Sequence, residues 1–206
     1  ERGESYKTRD VSCARTLVHK DNHRYVLILF ILREHLTPAE STVEGLNMAD
    51  MLVKLYELPS HEDVLKGLSK YGIVIKRPIG PEKISVVEWV REQFGKHWAS
   101  ETDVSFSNRP ISCFIAIDTT KDNEIIGFAC YDATTKGFFG PTGVNPTYRG
   151  KGIGTALLLA CLKDMYTIGY AYAIIGDAGP VEYYKKTVGA VEIPNSHPGI
   201  YKNMIK

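Results

Sequence analysis

The chain has 206 residues, 44% hydrophobic and 24% charged, with a formal net charge of +1. This is the composition of a soluble globular protein with room for one domain and an extension; it excludes a global basic field for nucleic acid and an acidic solvating tail. Cys13, Cys113, Cys130 and Cys161 stand far apart, which excludes zinc-ribbon and redox pairs and fits reduced thiols in a cytoplasmic protein.

Residues 1–47 differ from the rest: a polar stretch, the apolar run 26–32, then the loop-like Thr37-Pro38-Ala39-Glu40-Ser41. The run 26–32 is closed by Arg24 and Arg33 and falls far short of the ~20 residues that span a bilayer, so no membrane segment is expected. Position 1 is not methionine, whereas Met48 and Met51 stand just before a well-patterned region. The expected division is an extension over 1–47 and a domain over 48–206.

Residues 53–58 alternate like a short strand, Ser60 is placed to cap a helix to about Leu68, and Gly72 ends that unit. The spacing predicts a strand over 73–77, turns at Pro78 and Gly80-Pro81, and a helix whose Ile84, Val87, Val90 and Phe94 share a face until Gly95. Residues 97–110, with Trp98, Glu101, Asp103 and Phe106, read as irregular. Three strands follow at meander spacing, 113–118, 124–131 and 138–144, which argues for antiparallel pairing through short turns. A helix over about 154–168 stops at Gly169. A strand over 170–176, a short helix over 180–187 and a final strand containing Ile200 and Tyr201 complete a mixed α/β domain.

The segment from Val144 to Thr155 joins the third meander strand to an almost continuously apolar helix. Gly150, Gly152 and Gly154 let backbone N–H groups approach a ligand, and the first helical turn offers unpaired donors with a partial positive charge. Arg149 and Lys151 add full charges, so an anion site is expected at this loop. It is not a nucleotide P-loop, because Lys151 is followed by Gly152 rather than Ser or Thr. It is not the dinucleotide fingerprint either, since the third glycine position falls on Thr155 or Leu157. Upstream, Pro141 has no N–H to give a central strand, so a strand edge or a bulge is expected there, a break that would free backbone groups for a ligand.

With Arg149-x-x-Gly152-x-Gly154 between a strand and a long helix, and Val144-x-Pro146 before it, the chain resembles the GNAT superfamily of N-acetyltransferases from about Ile73 to the end. The resemblance implies a central mixed, mostly antiparallel sheet flanked by helices, with strands splayed at an acetyl-CoA site. It implies acetyl-CoA as cosubstrate, with the pyrophosphate on Arg149, Gly150, Lys151, Gly152, Ile153, Gly154 and Thr155 and the pantetheine arm along Thr142, Gly143 and Val144.

An aliphatic amine with a pKa near 10 is neutral only about once in a thousand molecules at pH 7, so attack on a thioester benefits from a base. The resemblance implies the Val144 amide as oxyanion donor and a tyrosine acid for the departing thiolate. In Tyr183-Tyr184-Lys185-Lys186-Thr187-Val188-Gly189-Ala190, Tyr184 takes the tyrosine position and Tyr183 is expected to pack inward. One residue is inserted before Gly189, and Asp177 stands where many family members carry Asn. Base candidates are Asp177, Asp132, Glu101 and a water chain; Trp98, Glu101, Asp103 and Phe106 offer charge and aromatic faces for a cationic acceptor.

The expected activity is acetyl transfer to a primary amine of a small molecule. Alternatives are acetylation of a protein N-terminus or lysine, and a non-catalytic CoA-binding sensor. The expected partners are the small amine and, in a homodimer, a second copy of the chain; no nucleic acid, membrane or metal is expected.

Overall fold

A computed structural model of the protein describes residues 49–205. The run 26–32 and the extension over 1–47 lie outside the described residues. The strands are β1 (Met51–Lys54), β2 (Ile73–Lys76), β3 (Cys113–Asp118), β4 (Glu124–Tyr131), β5 (Phe138–Val144), β6 (Tyr172–Ile175) and β7 (Val191–Glu192). The α-helices are α1 (Glu62–Ser69), α2 (Lys83–Phe94), α3 (Lys96–Ser105), α4 (Ile153–Thr167) and α5 (Val181–Val188).

The strands form one sheet in the order β2-β3-β4-β5-β6-β1-β7. Every neighbouring pair is antiparallel except β5 and β6, which run parallel. This is the mixed, mostly antiparallel sheet expected from the sequence. The connections explain much of the pairing: short turns join β3, β4 and β5 as antiparallel neighbours, the pair of helices α2 and α3 links β2 to β3, and α4 supplies the crossover that a parallel pair requires.

Two apolar layers sandwich the sheet. On one face α4 buries Ile153, Leu157, Leu158, Leu159 and Leu162 together with Val53, Ile126 and Phe139. α1 packs there through Leu68, and α5 through Tyr184 and Val188. On the other face α2 and α3 bury Val86, Val90 and Ala99 against Cys113, Ile115, Phe128 and Cys130. Burial of these side chains is the main stabilising term, at ~1.5–3 kcal/mol for each fully buried large one.

Several boundaries differ from the sequence-based expectation. β1 ends at Lys54, and Leu55–Glu57 turns as a 3₁₀ helix that buries Leu55. Residues 97–110, expected to be irregular, contain α3. Its buried residues are Ala99, Thr102 and Ser105, small and partly polar, so an apolar periodicity could not reveal the helix. On α2 the buried pair is Val86 and Val90, while Ile84 points out at 69% exposure. The last strand is β7, and Ile200 and Tyr201 belong instead to the 3₁₀ turn Gly199–Tyr201.

Candidate active site

The site grows from the parallel pair. β5 and β6 pair only at Phe138 with Ile174 and Phe139 with Ile175. β6 ends there, whereas β5 continues to Val144, leaving a wedge beside Gly140, Pro141, Thr142, Gly143 and Val144. On its other edge β5 pairs with β4, and the register shifts between Ala129 and Tyr131, opposite Gly140 and Pro141. That is the bulge expected from Pro141, where the ladder can spare an N–H.

Past the bulge, antiparallel alternation determines which backbone groups face the wedge. Asn145 N donates to Ile126 O at 2.9 Å, so Asn145 and Ile126 form a hydrogen-bonded pair. Gly143 opposite Phe128 is then the next such pair, and Val144 and Thr142 occupy the alternate positions, whose N–H and C=O turn away from β4. The Val144 carbonyl accordingly accepts from Arg149 Nε at 3.3 Å, on the wedge side.

The glycine loop closes the end of the wedge. Asn145 accepts from Thr147 N at 3.1 Å and caps the short turn Pro146–Tyr148. The buried Tyr148 hydroxyl, 2.9 Å from Asp118 Oδ2 and 3.2 Å from Glu124 Oε2, anchors that turn to β3 and β4. Gly150 and Gly152 adopt φ of 80° and 86°, a conformation that L side chains rarely take. Left-handed residues alternating with ordinary ones turn successive amides to one side of the loop at the start of α4. Lys151 Nζ lies 5.2 Å from the Tyr148 ring centre and 5.7 Å from that of Tyr71, so its cation is held beside the loop. Burial lowers the Arg149 pKa, because the guanidinium is partly desolvated as it bends back to β5.

α5 brings both tyrosines towards the loop, and the expected inward and outward positions are exchanged. Tyr184 is the buried one, within the layer formed by α4 and Val188. Tyr183 is half-buried and shares a hydrogen bond of 3.2 Å with Thr155 Oγ1 on the first turn of α4. A Cβ on Gly154 would lie 3.8 Å from both Tyr183 Oη and Val144 Cγ2, so the Tyr183 hydroxyl stands at the junction of loop and strand. The rings of Tyr183 and Tyr184 meet edge to face at 5.1 Å. Burial pushes the pKa of both phenols up, so both stay protonated at neutral pH.

The face of the sheet covered by α2 and α3 carries the remaining candidates. Trp98 stacks on Phe94 at 5.4 Å, and both rings lie against Phe128. Glu101, largely desolvated, accepts from Thr134 Oγ1 at 2.5 Å; burial raises its pKa, partly opposed by that hydrogen bond. Asp103 pairs with Lys83 at 2.9 Å and is half exposed, so it does not join Trp98 and Glu101. Phe106 is core. Asp132 accepts from Gly137 N at 2.7 Å, Tyr170 Oη at 2.8 Å and Lys136 Nζ at 3.1 Å, and so anchors the β4–β5 hairpin at the end of β5 opposite Val144.

Asp177 follows Gly176 just beyond the last residue of β6 and has a φ of 47°. Its N–H donates to Asp50 Oδ1 at 2.9 Å, and its Oδ1 lies 3.5 Å from His197 Nδ1. A Cβ on Gly176 would fall 2.5 Å from Tyr201 Oη and 2.9 Å from the Phe138 ring, so the C-terminal segment packs directly onto this position. His197, Tyr201 and Asp50 are not among the site residues expected from the sequence. They carry no local motif, and only β1 and β7 pairing brings them here.

The profile of the Acetyltransferase (GNAT) family matches residues 83–189. No curated protein matches the sequence. Among solved structures, a GCN5-related glucosamine N-acetyltransferase region in a fungal multi-domain GH3 beta-N-acetylglucosaminidase superposes with a TM-score of 0.58 at 14% identity, over 70% of this chain and 19% of that one. A GCN5-related N-acetyltransferase from Sphaerobacter thermophilus gives 0.54 at 22% identity, over 70% of this chain and 48% of its own. The matched part is thus less than half of either solved chain. A match over more than half of the sequence, joined to the splayed β5 and β6 and the glycine loop, establishes that the chain belongs to the GNAT family of acetyltransferases, acyltransferases whose acetyl donor is acetyl-CoA.

Proposed function

We propose that this chain moves the acetyl group of acetyl-CoA to a primary amine of a small molecule. The observation that carries it is the wedge: Val144 and Thr142 turn backbone groups away from β4, directly beside a loop of positive-φ glycines. The pyrophosphate takes amides of Arg149, Gly150, Lys151, Gly152, Ile153, Gly154 and Thr155, and the pantetheine arm pairs with β5 as an added strand. The Val144 N–H then serves the oxyanion of the tetrahedral intermediate.

Tyr184 is the acid for the CoA thiolate. Among the described residues its hydroxyl has no hydrogen-bond partner, whereas that of Tyr183 is engaged by Thr155. A hydroxyl that no described residue engages is available to a bound thioester sulfur.

Aromatic rings near both strands of the wedge support a small acceptor: Phe94, stacked with Trp98, borders β5 at Gly143, while Phe138 and Tyr201 border Gly176. Aromatic faces together with Glu101 suit a cationic amine. Among the described residues no helix is long and apolar enough to cross a membrane, and buried, free Cys113, Cys130 and Cys161 fit a cytoplasmic setting.

The test is calorimetric titration with acetyl-CoA, followed by CoA release with amino sugars, polyamines, amino acids and peptides. Glucosamine is a first choice because one structural neighbour is a glucosamine N-acetyltransferase region. Turnover with small amines is expected; turnover with peptides alone would favour a protein acetyltransferase, and absence of acetyl-CoA binding overturns the assignment.

A further inference from the structure

We propose that His197, held against Asp177 at the mouth of the β5–β6 wedge, is the base that takes the proton from the acceptor amine. The inference rests on the acetyl-transfer function proposed above and supplies the group that neither the family motif nor β5 provides.

Three observations support it. First, the placement is specific. Gly176 is the first residue beyond the last β5–β6 pair, Phe139 with Ile175, and Asp177 comes next. The contact between His197 Nδ1 and Asp177 Oδ1, at 3.5 Å, therefore sits where the strands part.

Second, the segment carrying His197 is tied down on both sides of the ring. Asp50 N donates to Ser196 Oγ at 2.7 Å, Ser196 Oγ donates to Ile193 O at 2.8 Å, and Ile193 N donates to Asp50 O at 2.8 Å. Asp50 also holds Asp177 through the Asp177 N–H, and Tyr201 packs onto Gly176. A base must be positioned before it is useful, and these contacts order the imidazole without burying it: the side chain is 44% exposed, against 11% for Asp177.

Third, the ring keeps a nitrogen that no described residue engages. Nδ1 faces the carboxylate, and among the described residues no hydrogen bond engages Nε2. The Phe138 ring packs against the side of Gly176 that also meets Tyr201 Oη. Phe139, its neighbour in β5, belongs to the layer under α4, so Phe138 and Tyr201 lie on the opposite face, with Phe94 and Trp98. The other candidate bases are committed elsewhere: Asp132 anchors its hairpin and Glu101 bonds Thr134.

The acceptor ammonium gives one proton to His197 Nε2, and Asp177 offsets the charge the ring gains. The nitrogen lone pair forms the C–N bond to the acetyl carbonyl carbon, and collapse of the intermediate breaks the C–S bond. Tyr184 gives its proton to the CoA thiolate and is replenished by the second proton leaving nitrogen. The proton on His197 passes to solvent. Among the described residues, Asp177 is the ionisable group in contact with the ring, while Asp50 bonds the Asp177 N–H and Tyr201 lies against Gly176.

The experiment measures CoA release from acetyl-CoA by the full chain, with water and with glucosamine as nucleophiles, across pH. Wild type is compared with His197→Gln, His197→Ala and Asp177→Asn. The expected result is an unchanged acetyl-CoA Kd, a fall in kcat of about 10²–10⁴-fold for His197→Gln, and loss of its acid limb. Added imidazole should restore part of the His197→Ala rate, and Asp177→Asn should lower kcat. Wild-type release no faster than His197→Gln with either nucleophile overturns the proposal. So does a slow His197→Ala that imidazole does not rescue and whose pH profile keeps its shape. Failure of wild type to bind acetyl-CoA strikes the acetyl-transfer function instead.

Discussion

A Cβ on Gly143 would lie 2.5 Å from Cζ of Phe94, so the ring at the end of α2 fills the space a side chain on β5 would need. Phe94 in turn packs on Trp89, Trp98 and Phe128, so it cannot yield freely. Gly143→Ala should destabilise the protein by about 1–3 kcal/mol through overpacking. Urea unfolding measures it, and in combination with Phe94→Leu the two changes should be non-additive. Additive costs would mean that ring and strand do not compete for one space.

Gly152 sits at the N-cap of α4 with a φ of 86°, and a Cβ there would meet only Val64 Cγ1 at 3.6 Å. The penalty of Gly152→Val is therefore backbone strain rather than collision, roughly 1–2 kcal/mol. Relieving that strain rotates amides away from their common side of the loop. Acetyl-CoA affinity should fall at least about tenfold, equivalent to about 1.4 kcal/mol, while the variant stays folded. Calorimetric titration decides it; an unaltered Kd would remove the loop from the cofactor site.

Tyr184→Phe and Tyr183→Phe should separate by role. Loss of the Tyr184 hydroxyl is expected to leave acetyl-CoA binding and thermal stability nearly unchanged and to lower kcat by about 10²–10⁴-fold. The defect should shrink with a thioester whose leaving thiol is more acidic. Tyr183→Phe removes the 3.2 Å bond to Thr155 and should act mainly on cofactor affinity. If Tyr183→Phe instead carries the kcat defect, the acid is one residue earlier.

Burial raises the Glu101 pKa above that of the unfolded chain, and the Thr134 bond offsets only part of the shift. A raised carboxyl contributes stability below the unfolded value, near ~4.3, and that contribution is lost as pH rises through the folded value. Glu101→Gln should therefore gain thermal stability over wild type at pH 7–8, and the gain should disappear as pH falls through the glutamate range. A gain that is the same at every pH would point to packing rather than charge.

Both apolar layers draw their described residues from Met51 onward, within the compact unit Asn47–Lys206. A chain beginning at Met48 is expected to unfold cooperatively and to bind acetyl-CoA with the affinity of the full chain. Circular dichroism and calorimetry check the two halves, and insolubility or lost binding would place residues 1–47 within the domain.

Much of this protein was legible in its sequence because the relevant physics is local. The meander strands announced themselves by short turns, α4 by its apolar run, and the turn before it by its glycines. Pro141 even marked the bulge, since a missing N–H is a property of one residue. α3 escaped because its buried face is Ala99, Thr102 and Ser105, whose size rather than hydrophobicity lets it approach the sheet. The phase of α5, which buries Tyr184 and leaves Tyr183 at Thr155, was decided by packing against α4. The gathering of Asp50, Asp177, His197 and Tyr201 likewise required the tertiary structure. Those residues are far apart in the chain and share no periodicity, so only the pairing of β1 with β6 and β7 brings them to one mouth of the sheet.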